Sequence, residues 1–183
     1  GEYGEGKMSS PRQIYTYLKN YFNKRNLVKN KNFKALVTTG PTREYLDPVR
    51  YISNESSGKQ GYEIALALKK LGIKTKLVSG PTNLTSSNDL KIKKIVSAKE
   101  MMSEVKRSLP VDIAVCAAAV SDYKPINKSK IKIKKETSKL NQLKLEKNPD
   151  ILDFLSKHNE HRPKVVVGFS AETEDVIQNS TKK

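Results

Sequence analysis

The sequence predicts an α/β fold, a mostly parallel sheet covered by helices on both faces, with one antiparallel β-ribbon. Three observations predict it. Apolar runs of strand length recur from residue 34 onward, and amphipathic helical patterns separate several of them. Strand–helix–strand repetition implies parallel strands covered on both faces. One lysine-rich segment, by contrast, alternates with period two.

Taken in order, Gly1 to Gly6 is glycine-rich, and Ser10-Pro11 then opens a helix, since Ser caps orphan amides and Pro is preset for a first turn. Ile14, Tyr15, Leu18, Tyr21 and Phe22 give that helix an apolar stripe, and Asn23 to Asn32 reads as a polar, basic linker. Buried strands are expected at Ala35–Thr39, Thr75–Val78, Ile92–Val96, Ile113–Ala119 and Val165–Phe169, and helices at Gly61–Leu71, Ala98–Leu109 and Pro149–His158. Lys130 to Glu146 sets Ile131, Ile133, Leu143 and Leu145 against lysines on either side of a polar turn at Glu136-Thr137-Ser138, which argues an antiparallel ribbon. A ribbon of two strands is marginal alone and must lie on the body or on a partner subunit. From pattern alone, a solvated hairpin whose lysines discourage edge pairing fits equally.

Composition bounds the function. The chain has 183 residues and a formal net charge of +16, which is one domain with room for at most a partial neighbour. A chain this long can bury a core without disulfides or a structural metal. Its single cysteine, Cys116, excludes an internal disulfide and fits a reducing, cytoplasmic setting. The longest apolar run, Ile113 to Val120, is far below the roughly 20 residues of a membrane helix, and no charged-then-apolar leader is seen, so no secretory signal or membrane partner is expected. The cations are 29 lysines and 6 arginines spread along the chain, and Trp is absent. Nucleic-acid readers lean on Arg forks and stacking aromatics, so a basic nucleic-acid-binding module is the alternative from a different class rather than the expectation.

Ligands of doubly wound sheets bind beyond the carboxyl ends of the strands. Thr39-Gly40-Pro41-Thr42-Arg43 follows the first strand, and Ser79-Gly80-Pro81-Thr82 follows the second, where turn chemistry is sufficient reason for it. Asp47 to Lys59 ends in Ser56-Ser57-Gly58-Lys59 at a helix start, where free amides and a point charge make an anion site. It is not a Walker A loop, because Ser53 and Gln60 stand where Gly and Ser or Thr are needed, and no G-x-G-x-x-G follows a strand. Ala117-Ala118-Ala119 leaves the backbone open to a flat ring, or else allows tight helix packing, and Asp122 stands at that strand's exit. Asn148-Pro149-Asp150-Ile151 reads as a capped helix start whose amides also offer a nucleotide site. His158 and His161 lack the acid or Cys companions of a metal site, and Cys116 reads as core rather than nucleophile.

Together, Val37 to Glu44, Asp47 to Asn54, Ser56 to Lys59, Ala117 to Tyr123, Lys132 to Lys135, Lys147 to Ile151 and Val167 to Thr173 resemble the bacterial phosphopantothenoylcysteine synthetase family, the phosphopantothenate–cysteine ligase half of a bifunctional coenzyme A biosynthesis flavoprotein. The resemblance implies a three-layer α/β/α, Rossmann-like sandwich with a protruding β-ribbon flap, and domain bounds of 34–183 for a C-terminally shortened ligase domain, 23–33 for a linker, and 1–22 for the closing segment of a preceding flavin-dependent decarboxylase. FMN would serve only that missing decarboxylase.

The implied reaction joins 4′-phosphopantothenate to L-cysteine with CTP and Mg2+ through an acyl-cytidylate, giving 4′-phosphopantothenoylcysteine, CMP and pyrophosphate. By motif, Asn54 corresponds to the asparagine that holds the acyl-cytidylate, Arg50 to the arginine of the cysteine-dependent step, and Lys132 to the flap lysine that closes over the nucleotide. That last correspondence disfavours the solvated hairpin. Cys116, Ala117, Ala118, Asp122, Lys132, Asn148, Pro149, Asp150, Ile151, Phe169 and Lys183 correspond to the CTP pocket. Ser121 stands where many relatives have Ala. Gly40, Ser56, Ser57, Gly58 and Lys59 are the residues read for phosphate or substrate, and the metal ligands stay unassigned. The resemblance also implies a homodimer with flap exchange near the site; a non-catalytic dimerising fragment is the variant reading.

Overall fold

The computed structural model describes residues 10–24, 32–84, 90–134, 143–157, 160–171 and 174–175. Lys183, His158, the turn at 136–138 and the glycine-rich start lie outside them.

Five strands form one parallel sheet: β1 (Lys34–Thr39), β4 (Lys74–Ser79), β5 (Lys91–Lys94), β6 (Ile113–Cys116) and β9 (Val165–Gly168). Their order is β5-β4-β1-β6-β9, all in parallel register. The helices are α1 (Pro11–Lys24), α2 (Lys59–Lys70), α3 (Ala98–Ser108) and α4 (Ile151–Lys157). All five predicted sheet strands and all four helices are present, with bounds differing by a few residues. The strand predicted to run to Ala119 ends at Cys116; beyond it Ala117 N and Ala119 N donate to the carbonyls of Thr38 and Gly40 instead of continuing a regular ladder.

Period-two alternation decides which side chain goes to which layer. Ala35, Val37, Ile113 and Val115 face one layer with Ile64, Ala65 and Leu68 of α2 and Leu18 of α1. Leu36, Val78 and Ala114 face the other, against Met101 and Val105 of α3 and Ile151 and Leu155 of α4. α1 packs Leu18 into the first of these cores and extends through Lys24.

Local chemistry sets the helix ends. α2 stops in a glycine motif in which Gly72 (φ 80°) donates to Lys69 O and Ile73 to Leu68 O. α3 starts at Ser97, whose hydroxyl accepts from Glu100 N. α4 starts where Asp150 Oδ1 accepts from Asp153 N at 2.8 Å.

Two short hairpins were not anticipated in this form. β2 (Arg43–Tyr45) pairs antiparallel with β3 (Tyr51–Ser53). β7 (Tyr123–Pro125) pairs antiparallel with β8 (Leu145–Lys147), in register Lys124 opposite Glu146, and those two side chains form an ion pair at 3.2 Å. The second pairing corrects the predicted ribbon, whose first arm was placed at Lys130–Lys134. That segment forms no strand and Ile131 is exposed like the lysines beside it; the backbone hydrogen bonds at Ile133 go to Asp47 and Arg50. Alternation identifies residues able to lie on a surface, but says nothing about which chain takes up their amides.

Candidate functional site

The sheet order reverses between β1 and β6, and the site is built where those strands give out. Beyond β1 the chain turns at Gly40 in the left-handed region (φ 73°). Thr39 Oγ1 donates to Gly58 O at 2.6 Å, which draws the N-terminus of α2 against the end of β1. A side chain cannot be accommodated at this junction: a Cβ on Gly58 would lie 2.7 Å from Thr82 Cγ2 and 3.2 Å from Gly40 Cα. Gly40, Gly58 and Gly80 therefore let three backbones meet, and the second Gly-Pro-Thr is part of the site wall rather than a remote turn.

Two adjoining clefts open there. One, about 470 Å3, is lined by Pro41, Arg43, Tyr51, Asn54, Ser56 and Ser57 among others. The second, about 380 Å3, lies over the ends of β1, β4 and β5 and is lined by Thr39, Tyr62, Ser79, Ile92 and Lys94 among others. Arg43 and the segment Pro81–Leu84 line both. The Arg43 guanidinium stacks 4.6 Å above the Tyr51 ring, which holds a positive charge between the clefts. Sequence reasoning assigned Arg43 and Thr82 no role; the Arg two residues past the first Gly-Pro was the available signal.

In the predicted anion site, Gly58 N donates to Ser56 Oγ and Lys59 N to Ser57 Oγ, while the Lys59 and Ser57 side chains stay exposed. Gln60 Nε2 beside them is buried without a hydrogen-bond partner.

On the far side of β1, several of the residues predicted for a nucleotide lie around the end of β6, whereas Lys132 does not and Lys183 is outside the described residues. Asn148 N donates to Asp122 O and Asn148 Nδ2 to Ser121 O, both at 2.8 Å, so the start of α4 is tied to the Ala-Ala-Ala loop. The amide oxygen of Asn148 is buried and unpartnered. Ser121 N donates to Thr42 Oγ1. Burial pushes the Cys116 thiol up to about 12, with the charge of Asp150 adding to the rise and a hydrogen bond with Thr38 opposing it. Phe169 packs, half-buried, at the end of β9.

Asn54 joins the two halves: its Nδ2 donates to Val120 O at 3.0 Å. Arg50 reaches the residue next to Lys132, since Arg50 Nη2 donates to the carbonyl of Ile133 at 2.7 Å. The Lys132 side chain itself is exposed and lies outside the Asn148 cluster's hydrogen bonds. Arg50 in turn pairs with Asp47, whose carboxylate is fully buried. Hydrogen bonding from the Arg50 guanidinium, opposed by desolvation and helped by the amides of Val49, Ile133 and Arg50, holds Asp47 well below the usual carboxylate range. Among the described residues, no group of three His, Cys, Asp or Glu could hold a metal ion, and no helix is long and apolar enough to cross a membrane.

With this geometry in place, the comparisons acquire a structural meaning. Residues 30–183 match the model of the DNA/pantothenate metabolism flavoprotein C-terminal domain. The coenzyme A biosynthesis bifunctional protein CoaBC of Haemophilus influenzae is 41% identical over 177 residues, covering 96% of this chain and 43% of the relative. The CoaBC of Escherichia coli K12 is 40% identical over 186 residues, covering 100% of this chain and 45% of that protein. The crystal structure of a CoaBC C-terminal domain superposes with a TM-score of 0.71 at 36% identity, over 84% of this chain and 73% of the other. The chain thus spans less than half the length of these curated relatives.

Proposed function

Because the chain belongs to the family of the DNA/pantothenate metabolism flavoprotein C-terminal domain, we propose that it is the phosphopantothenate–cysteine ligase domain of a cytoplasmic bifunctional enzyme of coenzyme A biosynthesis. The partner activity would be a flavin-dependent decarboxylase outside this chain. A carboxylate does not react with an amine until one of its oxygens belongs to a good leaving group. In the proposed reaction the carboxylate of 4′-phosphopantothenate attacks the α-phosphorus of CTP and pyrophosphate leaves. The amine of L-cysteine then attacks the acyl carbon, forming the amide and releasing CMP.

One observation carries this reading. The Asn54–Val120 hydrogen bond joins the cleft at the start of α2 to the loop cluster at the end of β6, so on this reading a group held at Asn54 would lie between the phosphopantothenate and the nucleotide. A neutral amide there can donate to the acyl carbonyl without attacking the mixed anhydride. Arg50 would serve the second step and Lys132, on the flap, the first. The unpartnered Asn148 amide oxygen supports a bound donor such as a base amino group, since leaving a buried acceptor unmet is costly. Mg2+ would arrive on the triphosphate, keep most of its waters and neutralise charge, a mode that needs no acidic cage. Neither step needs a covalent enzyme nucleophile, and Cys116, with its raised pKa, is unsuited to be one. A homodimer with exchanged flaps belongs to the same proposal.

The test measures pyrophosphate release by the complete protein carrying this domain, with 4′-phosphopantothenate and CTP, ATP, GTP or UTP in parallel, with and without cysteine. Release with CTP, and CMP plus amide only once cysteine is present, is the expected result. No pyrophosphate with any nucleotide would overturn the proposal.

A further inference from the structure

The geometry points to Asp47 as a positioning residue: one buried carboxylate holds both the Arg50 guanidinium and the flap backbone at Ile133, the residue next to Lys132. Its effect on turnover rests on the ligase reading above; the clamp itself does not.

Asp47 Oδ1 accepts from Val49 N at 2.8 Å and Arg50 N at 2.9 Å. Those two bonds are all that the local turn requires of an aspartate. Oδ2 is left over for longer-range work. It accepts from Arg50 Nε at 3.0 Å and Nη2 at 2.5 Å, and from Ile133 N at 3.2 Å, 86 residues away in sequence. Arg50 Nη2 also donates to Ile133 O. The Asp47–Arg50 pair therefore engages both peptide groups of Ile133, as a neighbouring strand would, and takes the place of the ladder that residues 130–134 do not form. Ser129 N, donating to Leu46 O at 2.8 Å, seats the segment just before it.

This arrangement couples two groups that act in different steps. Arg50 cannot turn toward a reacting partner without releasing Ile133 O, and Lys132 cannot travel far while Ile133 is held. Loss of the Asp47 charge releases Arg50 and the flap backbone together and should impair both steps, whereas a change at the Lys132 side chain, which makes none of these bonds, should strike one.

Hydrogen exchange at the Ile133 amide reads the clamp without any substrate. It should be at least tenfold slower in the unsubstituted protein than in Asp47→Asn, and Arg50→Lys, which leaves the carboxylate and its turn intact, should accelerate it by about threefold. Exchange at the unstructured rate in the unsubstituted protein, or no response to Arg50→Lys, overturns the clamp even if Asp47→Asn fails to fold. In the complete protein Asp47→Asn should lower pyrophosphate release about tenfold and, measured separately, the conversion of accumulated acyl-cytidylate to amide on addition of cysteine about tenfold, and loss of only one step counts against the coupling. Absence of pyrophosphate from the unsubstituted protein would sink the ligase reading while the exchange measurement still decides the clamp.

Discussion

Asn54 Nδ2 lies 3.0 Å from Val120 O, a side-chain bond across 66 residues that bridges the β3–α2 loop and the loop after β6. The contact is exposed, so its worth to folding is small, about 1 kcal/mol. Its location is what matters, because under the proposed function the same amide would also donate to the acyl oxygen.

Asn54→Ala should therefore leave pyrophosphate formation near normal and lower amide product by about a hundredfold, the usual effect of removing one oxyanion donor. Parallel assays of pyrophosphate and amide, with circular dichroism to verify folding, check this. Unchanged amide yield removes Asn54 from its assigned role.

Lys132→Gln leaves a polar side chain, one bond shorter, and deletes its charge. The flap assignment expects pyrophosphate release to fall by about a hundredfold, with little change in melting temperature because Lys132 is exposed. Release at the unsubstituted rate would contradict it.

Two glycines should separate crowding from backbone strain. A Cβ on Gly80 would lie 1.7 Å from Pro41 O, so Gly80→Ala must push apart the loops that wall both clefts and should cost about 3 kcal/mol. Gly72 (φ 80°) has nothing within 4 Å of its would-be Cβ, so Gly72→Ala costs only the left-handed penalty, about 1 kcal/mol. Urea denaturation measures both, and equal losses would refute the crowding argument.

Cys116 should resist alkylation. With its thiol pushed up to about 12 by burial, little thiolate exists at pH 8, although a more basic thiolate is intrinsically more reactive and offsets part of the difference. Iodoacetamide should label the folded protein at least tenfold more slowly than the urea-unfolded chain, and the rate should keep rising up to about pH 12. A plateau near pH 9 would mean an ordinary, accessible thiol.

The sequence by itself determined the layers, the five sheet strands, the four helices and the family. Those properties follow from side-chain chemistry at short range: Ala35, Leu36 and Val37 alternate between two cores because consecutive strand side chains must, and Ser97 and Asp150 cap helices wherever they precede one. Gly40, Asn54 and Asn148 stand in motifs, which is what makes them candidates for the site. What the tertiary structure alone decided is which polar groups satisfy one another across the chain. Leu145–Lys147 chose Tyr123–Pro125 over Lys130–Lys134, Arg43 came to stand between two clefts, and the second oxygen of Asp47 found Ile133. Periodicity records which face of a segment avoids water; it carries no record of the distant donor or acceptor that a given backbone group meets once the layers have closed.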